Sequence, residues 1–148
     1  MIIKKDVPFV PSSKERLDIM IELAGITPGQ KAVDLGSGNG QVVIEMAKLG
    51  AFAFGYEIDP VLVEKSLRNI KQANLEGTAF VILTNYWDEP LDSFDVVTIY
   101  GITGIMERLE EKLRKELKPG TKVVSNFFTF PHWEPAVKKG EVYLYIQP

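Results

Sequence analysis

Cysteine is absent from the 148-residue chain, and His132 is its single histidine. The absence of cysteine excludes disulfides, thiolate metal sites, iron–sulfur clusters and a cysteine nucleophile. One histidine cannot build a three-histidine zinc site, and any Ser–His catalysis would depend on His132. We therefore expect a functional site without a metal ion.

The chain also has no excess of basic residues and no long hydrophobic run. Its 17 Lys and Arg residues stand against 20 Asp and Glu, a formal net charge of -3. Nucleic-acid-binding proteins usually carry a basic face, so this balance argues against a nucleic-acid partner. No apolar run approaches the ~18 residues of a transmembrane helix. Because residues 1–10 also lack the apolar core of a signal peptide, we expect a cytoplasmic protein without a membrane anchor.

What the chain does contain is ordinary for one globular domain: 45% hydrophobic and 25% charged residues. No linker-like segment divides it, and we predict a single domain over residues 1–148. Amphipathic and apolar segments alternate between Gly and Pro turns. Helices are predicted over 13–24, 41–49 and 105–117 and from Pro60, and strands over 31–35, 51–56, 79–84, 94–100, 122–127 and twice within 133–147. This order predicts an α/β fold with a Rossmann-like, mostly parallel sheet, helices on both faces and a C-terminal antiparallel hairpin.

A glycine-rich turn joins the first predicted strand to the second helix. It contains Asp34, Gly36, Ser37, Gly38, Asn39 and Gly40. Such turns bind nucleotides, because glycine permits sharp bends and close approach of a ligand. An ATP- or GTP-binding loop would continue with Lys and Ser or Thr, but Gln41 follows here. A dinucleotide-binding loop would have its third glycine at position 41 rather than 40.

The ligand of this turn must also tolerate the carboxylate of Asp34, which would repel a pyrophosphate and attract an ammonium group. S-adenosylmethionine has no phosphate and carries an α-ammonium, a sulfonium and a ribose diol. The spacing D-x-G-x-G-x-G is the signature of class I methyltransferases, which use this cofactor. We therefore predict that the turn binds S-adenosyl-L-methionine and its product S-adenosyl-L-homocysteine. The alternative is a turn kept only for tight packing of strand and helix.

Polar residues also follow the next two predicted strands. Glu57, with Ile58 after it, ends the second strand, where a carboxylate can accept both ribose hydroxyls. Asn85 follows the third strand, next to Tyr86 and Trp87, where its amide can meet the adenine amino group. We predict that these five residues contact the cofactor. A solvated acid at 57 and a turn former at 85 are the alternatives.

Several segments of the sequence, taken together, resemble those of one known family. They are Phe9-Val10-Pro11-Ser12-Ser13, residues 33–40, Gly55-Tyr56-Glu57, Trp87, residues 109–113, Val124-Ser125 and Phe130-Pro131-His132-Trp133. From about Pro8 to the C-terminus, the chain thereby resembles the small seven-β-strand protein-lysine methyltransferases. That family includes mitochondrial enzymes that methylate lysines of the ATP synthase c-subunit and of the adenine nucleotide translocase, and archaeal enzymes that act on many protein lysines. The resemblance implies a class I methyltransferase fold and a protein substrate that presents a lysine.

The resemblance also implies a role for the N-terminal segment. In this family the segment lies over the cofactor, so Phe9, Pro11 and Ser12 would help to close the site; helix capping and packing are the alternative. Two departures matter. The mitochondrial members carry an N-terminal hydrophobic anchor that we do not expect here, so their membrane substrates need not carry over. They also have an acid where Asn85 stands, and an amide oxygen would accept the adenine amino group more weakly.

A lysine nucleophile sets requirements of its own. Lysine at its usual pKa of about 10.4 is mostly protonated, so the site must favour the neutral amine. Aromatic side chains suit both the amine and a cation. Tyr100 and Trp133 follow the fourth and fifth strands, at the edge where open α/β sheets bind ligands, and we predict that they line the lysine channel. His132 is a candidate proton acceptor. Core packing for the aromatic rings and a surface position for His132 are the alternatives.

The predicted fold uses nearly the whole chain and leaves no inserted lid, which suits a lysine presented by a larger partner. Two other functions stay open. One is methylation of a nucleic acid or small molecule with a second subunit as lid, although the Asn-Pro-Pro-Tyr motif of nucleobase amino methylation is missing after the fourth strand. The other is cofactor binding without catalysis. The sequence does not determine the target or the oligomeric state.

Overall fold

The alternation of strands and helices expected from the sequence is present in a computed structural model, which describes residues 14–148. The helices are α1 (Lys14–Ala24), α2 (Gln41–Lys48), α3 (Pro60–Gln72) and α4 (Met106–Glu116). The strands are β1 (Lys31–Leu35), β2 (Phe52–Glu57), β3 (Ala79–Leu83), β4 (Val96–Tyr100), β5 (Lys122–Asn126), β6 (Val137–Lys139) and β7 (Val142–Ile146). A short 3₁₀ helix, Tyr86–Asp88, lies between β3 and β4. Phe9, Pro11 and Ser12, which we expect to help close the cofactor site, lie outside the described residues.

The strands form one sheet in the order β3-β2-β1-β4-β5-β7-β6. Strands β1 to β5 pair in parallel, because a helix or a long loop separates each from the next. The tight turn at Gly140, with φ +53°, instead joins β6 and β7 into a hairpin. Only β7 runs against the other strands of this sheet, pairing antiparallel with both β5 and β6. The predicted α/β fold with a mostly parallel sheet and a closing hairpin is confirmed.

Side chains alternate between two apolar cores, one on each face of the sheet. Along β1, Ala32 packs into the first core with α1, α2 and α3, whereas Val33 and Leu35 pack into the second core with α4. By this alternation Asp34 shares the face of Ala32. Helices therefore cover both faces, as the sequence indicates. The helices described between residues 14 and 148 are all too short or too polar to cross a membrane.

Most predicted boundaries shift by one or two residues. Strand β4 begins at Val96 rather than at residue 94, and at the bend before it the Asp95 carboxylate accepts a hydrogen bond from the Lys31 backbone N–H at 2.8 Å. Strand β5 ends at Asn126, because Phe127 has a φ of +84°. Strand β6 starts at Val137 rather than at residue 133.

The order in which the chain adds strands reverses at the centre of the sheet, between β1 and β4, and this reversal positions the candidate site. From β1 the chain builds outward through β2 and β3, and then returns to add β4 on the other side of β1. Ligands of open α/β sheets bind at this point, outside the carboxyl ends of the strands. Asp34 on β1 and Thr98 on β4 are direct neighbours there in the strand register.

Candidate cofactor and active site

The glycine turn after β1 borders open space. Gly36, Gly38 and Gly40 have φ values of +75°, +58° and +86°, in the region that favours glycine. A Cβ added to Gly36 or Gly38 would meet no heavy atom within 4 Å, so a ligand can approach the backbone there. At Gly40 an added Cβ would lie 3.2 Å from the side chain of Ser66 on α3. The turn therefore combines an open surface with close packing against a helix.

Helix α3 holds this turn by two side chains that the sequence did not single out. The Ser66 hydroxyl, fully buried, lies 2.9 Å from the Gly38 carbonyl oxygen. The Asn69 amide donates to the Asn39 carbonyl at 3.0 Å. Both carbonyls are thereby held toward α3. The only sequence signal for this was a small polar residue, Ser66, at helical spacing between Val63 and Ile70.

Asp34 is a buried carboxylate on the same face of the sheet as α3. The Thr98 hydroxyl donates to its Oδ1 at 2.7 Å. Burial raises the pKa of Asp34 to about 7, and the nearby charge of Glu57 adds to the rise, whereas the Thr98 hydrogen bond opposes it. No Lys or Arg among residues 14–148 contributes to that pKa. Asp34 is therefore suited to a cationic ligand that would supply the missing charge partner.

Glu57, at the end of β2, links the glycine turn to the start of α3. Its Oε1 accepts from the Gly38 backbone N–H at 2.7 Å, and its Oε2 accepts from the Asp59 N–H at 3.1 Å. These bonds fix the carboxylate, and each oxygen keeps a further lone pair for a ligand hydroxyl. Ile58, the next residue, is 68% exposed although it is apolar. Glu57 and Ile58 together therefore present hydrogen-bond acceptors beside an open apolar surface.

Asn85 and the two aromatic residues after it make contacts within the protein. The Asn85 side chain accepts from the Trp87 backbone N–H at 3.0 Å and caps the 3₁₀ helix, which is the turn-forming alternative. The rings of Tyr86 and Trp87 pack against the second core, on the α4 side. The structure therefore packs both rings in part against the second core, and their contact with the cofactor stays a prediction.

Helix α4 fastens this loop. The Arg108 guanidinium lies 4.0 Å from the Trp87 ring centroid. The Lys112 ammonium donates to the backbone oxygens of Trp87 at 3.3 Å and Glu89 at 2.9 Å. The charged face of this helix therefore in part supports the loop after β3.

Aromatic rings follow β4 and β5 at the carboxyl ends of the parallel strands, which we call the carboxyl edge of the sheet. Tyr100 ends β4, and by alternation it lies on the Asp34 side of the sheet. Its ring centroid is 6.5 Å from that of Phe128, which in turn is 5.0 Å from that of Phe127. Phe127 is 42% exposed, and the Arg16 guanidinium lies 5.6 Å from its ring centroid. We call Tyr100, Phe127 and Phe128 the aromatic wall. Phe127 and Phe128 were not singled out from the sequence, and the signal for them was the pair of adjacent Phe residues after a strand.

Trp133 and His132 are not at this edge. The Trp133 ring packs against Phe130 and Tyr145, with centroid distances of 5.6 and 5.1 Å, and the Arg114 guanidinium covers it at 4.9 Å. Tyr145 pairs with Val123 near the start of β5, so this cluster lies away from the carboxyl end. The structure therefore packs Trp133 into the second core and does not bring its ring to the aromatic residues of the carboxyl edge.

His132 lies beside that cluster on the surface. Its backbone N–H donates to the Glu110 carboxylate at 2.8 Å, and the residue is exposed. The structure thus places His132 at the surface, the alternative given above for this residue, and its role as proton acceptor stays a prediction.

The hydrogen-bond donors and acceptors at the carboxyl edge suit a cationic nucleoside without a phosphate. It offers two carboxylates and an open glycine turn. The Ser37 hydroxyl is also buried there without a hydrogen-bond partner among the described residues, and a side chain at Gly55 would collide with it. No group of three or more His, Asp or Glu within residues 14–148 is arranged to hold a metal ion. These features fit S-adenosylmethionine.

Comparisons with known proteins agree with this geometry. A family model described as the ANTKMT methyltransferase domain matches residues 34–137. The human lysine N-methyltransferase of the ATP synthase c-subunit is 34% identical over 135 residues, which are 91% of this chain and 58% of that protein. A protein-lysine N-methyltransferase of Saccharolobus islandicus is 35% identical over 150 residues, covering 95% of this chain and 93% of that one.

Among solved structures, an RNA methyltransferase from Salinibacter ruber in complex with S-adenosyl-L-homocysteine superposes with a TM-score of 0.85. It is 33% identical, and the match covers 93% of this chain and 92% of that one. The chain spans 58%, 62% and 54% of the human, rat and mouse methyltransferases of the ATP synthase c-subunit.

Proposed function

We propose that this chain, which belongs to the ANTKMT methyltransferase family, transfers methyl groups from S-adenosylmethionine to lysine side chains of a protein. The observation that carries the proposal is the pairing of Asp34 and Glu57 on one face, on either side of an open glycine turn. Among residues 14–148, no Lys or Arg contributes to the pKa of Asp34. The similarity to protein-lysine methyltransferases supports the choice of lysine.

Each part of the site has a task toward the cofactor. Asp34 accepts hydrogen bonds from the α-ammonium and supplies its counter-charge. Glu57 accepts from the ribose hydroxyls, and Ile58 offers an apolar surface to the adenine. When bound, the cofactor supplies a methyl group on a positively charged sulfur, which is a good leaving group. The protein's contribution is to orient the reacting groups and to exclude water.

The aromatic wall acts on the lysine. Aromatic rings hold the aliphatic stem of lysine by burial, and their faces accommodate the positive charge of the methylated product by cation–π attraction. Removing water from the amine lowers its pKa and so favours the neutral form, which has the lone pair needed for attack. Tyr100 lines this channel in the proposal, which its position on the same face as Asp34 supports.

The partner in this proposal is a protein that presents a lysine to an open site. The site region among residues 14–148 is made of strand ends and short loops, with no inserted domain over it. A cytoplasmic location is also part of the proposal. Fractionation of cells that express the tagged full chain tests it.

The experiment is a transfer assay with purified protein, labelled S-adenosylmethionine and a protein extract. We expect label on protein, with mass spectrometry locating it on lysine. The matched control is Asp34→Asn, which keeps the size of the side chain and removes its charge. Cofactor binding by the wild type without transfer to protein, RNA or small molecules would contradict the enzyme proposal and favour a binding module.

One observation favours a second candidate substrate. The Salinibacter ruber protein, 33% identical over almost its whole length, is described as an RNA methyltransferase. The acidic balance of this chain argues against RNA, because phosphate contacts need Lys and Arg. The same assay with total RNA, with ribonuclease and protease treatment of the labelled product, decides between the two. Label that is lost to ribonuclease and resists protease would replace the lysine proposal.

A further inference from the structure

Thr98 interrupts the apolar run of strand β4, whose sequence is VVTIY. It is fully buried, in the centre of the sheet between β1 and β5. A buried hydroxyl without a hydrogen bond is destabilising, and valine has nearly the same shape without that penalty. A threonine at this position therefore needs a specific partner.

That partner is Asp34, and the strand register sets the geometry. Asp34 and Thr98 are paired residues of the parallel strands β1 and β4, so both side chains rise from the same face. The Thr98 hydroxyl has one proton, and it donates to Asp34 Oδ1 at 2.7 Å. The bond is short and charge-assisted, and both residues are buried. It fixes the rotation of the carboxylate while one oxygen remains for another donor.

We infer that Thr98 is a positioning residue for cofactor binding, whose hydroxyl holds the Asp34 carboxylate in the orientation that receives the α-ammonium of S-adenosylmethionine. The inference rests on the proposed function for one point only, the role of Asp34 as acceptor of that ammonium. It does not depend on whether the methyl group goes to lysine or to RNA.

Among the described residues, the other influences on the Asp34 pKa oppose the effect of Thr98. Burial and the negative charge of Glu57 both disfavour the ionised carboxylate, and Thr98 is the group that opposes them. Glu57 is itself bound by the backbone N–H groups of Gly38 and Asp59. Loss of the Thr98 hydroxyl would therefore raise the pKa of Asp34 further above its usual range. The empty site would then hold a neutral carboxylic acid over a wider range of pH.

The test compares Thr98→Val with Thr98→Ser, using calorimetric titration of the full chain with S-adenosylmethionine and S-adenosylhomocysteine between pH 6 and 9. A hydrogen bond to a charged group is worth enough to change affinity by about 10- to 100-fold. We expect Thr98→Val to bind about 10- to 100-fold more weakly at pH 7. We expect this gap to narrow toward pH 9, where Asp34 ionises in both proteins. Thr98→Ser should bind within about threefold of the wild type, because it keeps the donor.

The pH profile separates positioning from packing. Thr98→Val should fold, because it replaces a buried hydroxyl by a methyl group, and thermal unfolding checks this. A Thr98→Val protein that binds like the wild type at pH 7, or that loses the same factor at every pH, would overturn the inference. Failure of the wild type to bind the cofactor at any pH would instead overturn the proposed function.

Discussion

The exchange Asp34→Asn is predicted to separate stability from cofactor binding in a pH-dependent way. The carboxyl pKa is 3.8 in the unfolded chain and about 7 in the folded protein. Since one pH unit of pKa difference corresponds to 1.36 kcal/mol, the ionised form of this buried group costs about 4 kcal/mol in the folded state.

The direction in which stability changes with pH follows from proton binding. Because the folded-state pKa is raised, the folded protein binds the proton more tightly than the unfolded chain. The stabilisation that results is fully present below pH 3.8 and is lost as the pH rises through about 7. Asparagine at this position does not titrate. The unfolding free energy of Asp34→Asn minus that of the wild type should therefore increase by up to about 4 kcal/mol between pH 4 and pH 8.

The assay is urea unfolding of both proteins without cofactor at a series of pH values, with calorimetric titration of the cofactor at pH 8. We expect Asp34→Asn to gain relative stability as the pH rises and to lose most of its affinity for S-adenosylmethionine. Every other titrating group is common to both proteins, so the difference isolates position 34. A stability difference that stays constant from pH 4 to pH 8 would refute the reasoning.

Three further substitutions test other parts of the site. Gly55→Ala would place a Cβ in collision with Ser37 and 2.9 Å from Val43. Thermal unfolding should therefore show a loss of about 1–3 kcal/mol in the free energy of unfolding, and titration should show weaker cofactor binding. Unchanged stability would contradict the close packing. Phe127→Leu should raise the KM for a lysine peptide severalfold and leave cofactor affinity unchanged, with Phe127→Tyr as control; equal KM values would remove Phe127 from the aromatic wall's function. Trp133→Ala should cost about 3–5 kcal/mol in urea unfolding, as a truncated core residue. Its cofactor affinity and its methylation rate per folded molecule should match the wild type, and a selective loss of methylation would restore Trp133 to the channel.

The glycine turn and its two carboxylates could be located from the sequence because each is marked by local pattern. Asp34 stands between an apolar strand and three glycines, and Glu57 ends the next apolar run. In a parallel sheet such strand ends meet at one edge, so sequence order alone brings the two together. The same logic gave the fold, since the strands between helices had to pair in parallel.

The placements that the sequence did not indicate concern residues whose orientation depends on contacts that local sequence pattern does not show. Trp133 is close in sequence to the end of β5, but the chain turns back after Phe127, and Tyr145 of the hairpin receives the ring. Asn85 caps its own turn, a local bond that competes with a ligand. Thr98 gave no signal in an apolar strand, because its partner lies 64 residues earlier in the chain.

Helix α4 joins two parts of the molecule that are far apart in sequence. Its Arg108 and Lys112 hold the loop after β3, while Glu110 and Arg114 hold the segment that contains His132 and Trp133. One rigid body therefore carries both attachments. A displacement of that helix, whether by a bound protein or by a mutation on its outer surface, would therefore move both segments at once. The helix thereby couples its outer surface to the loop after β3.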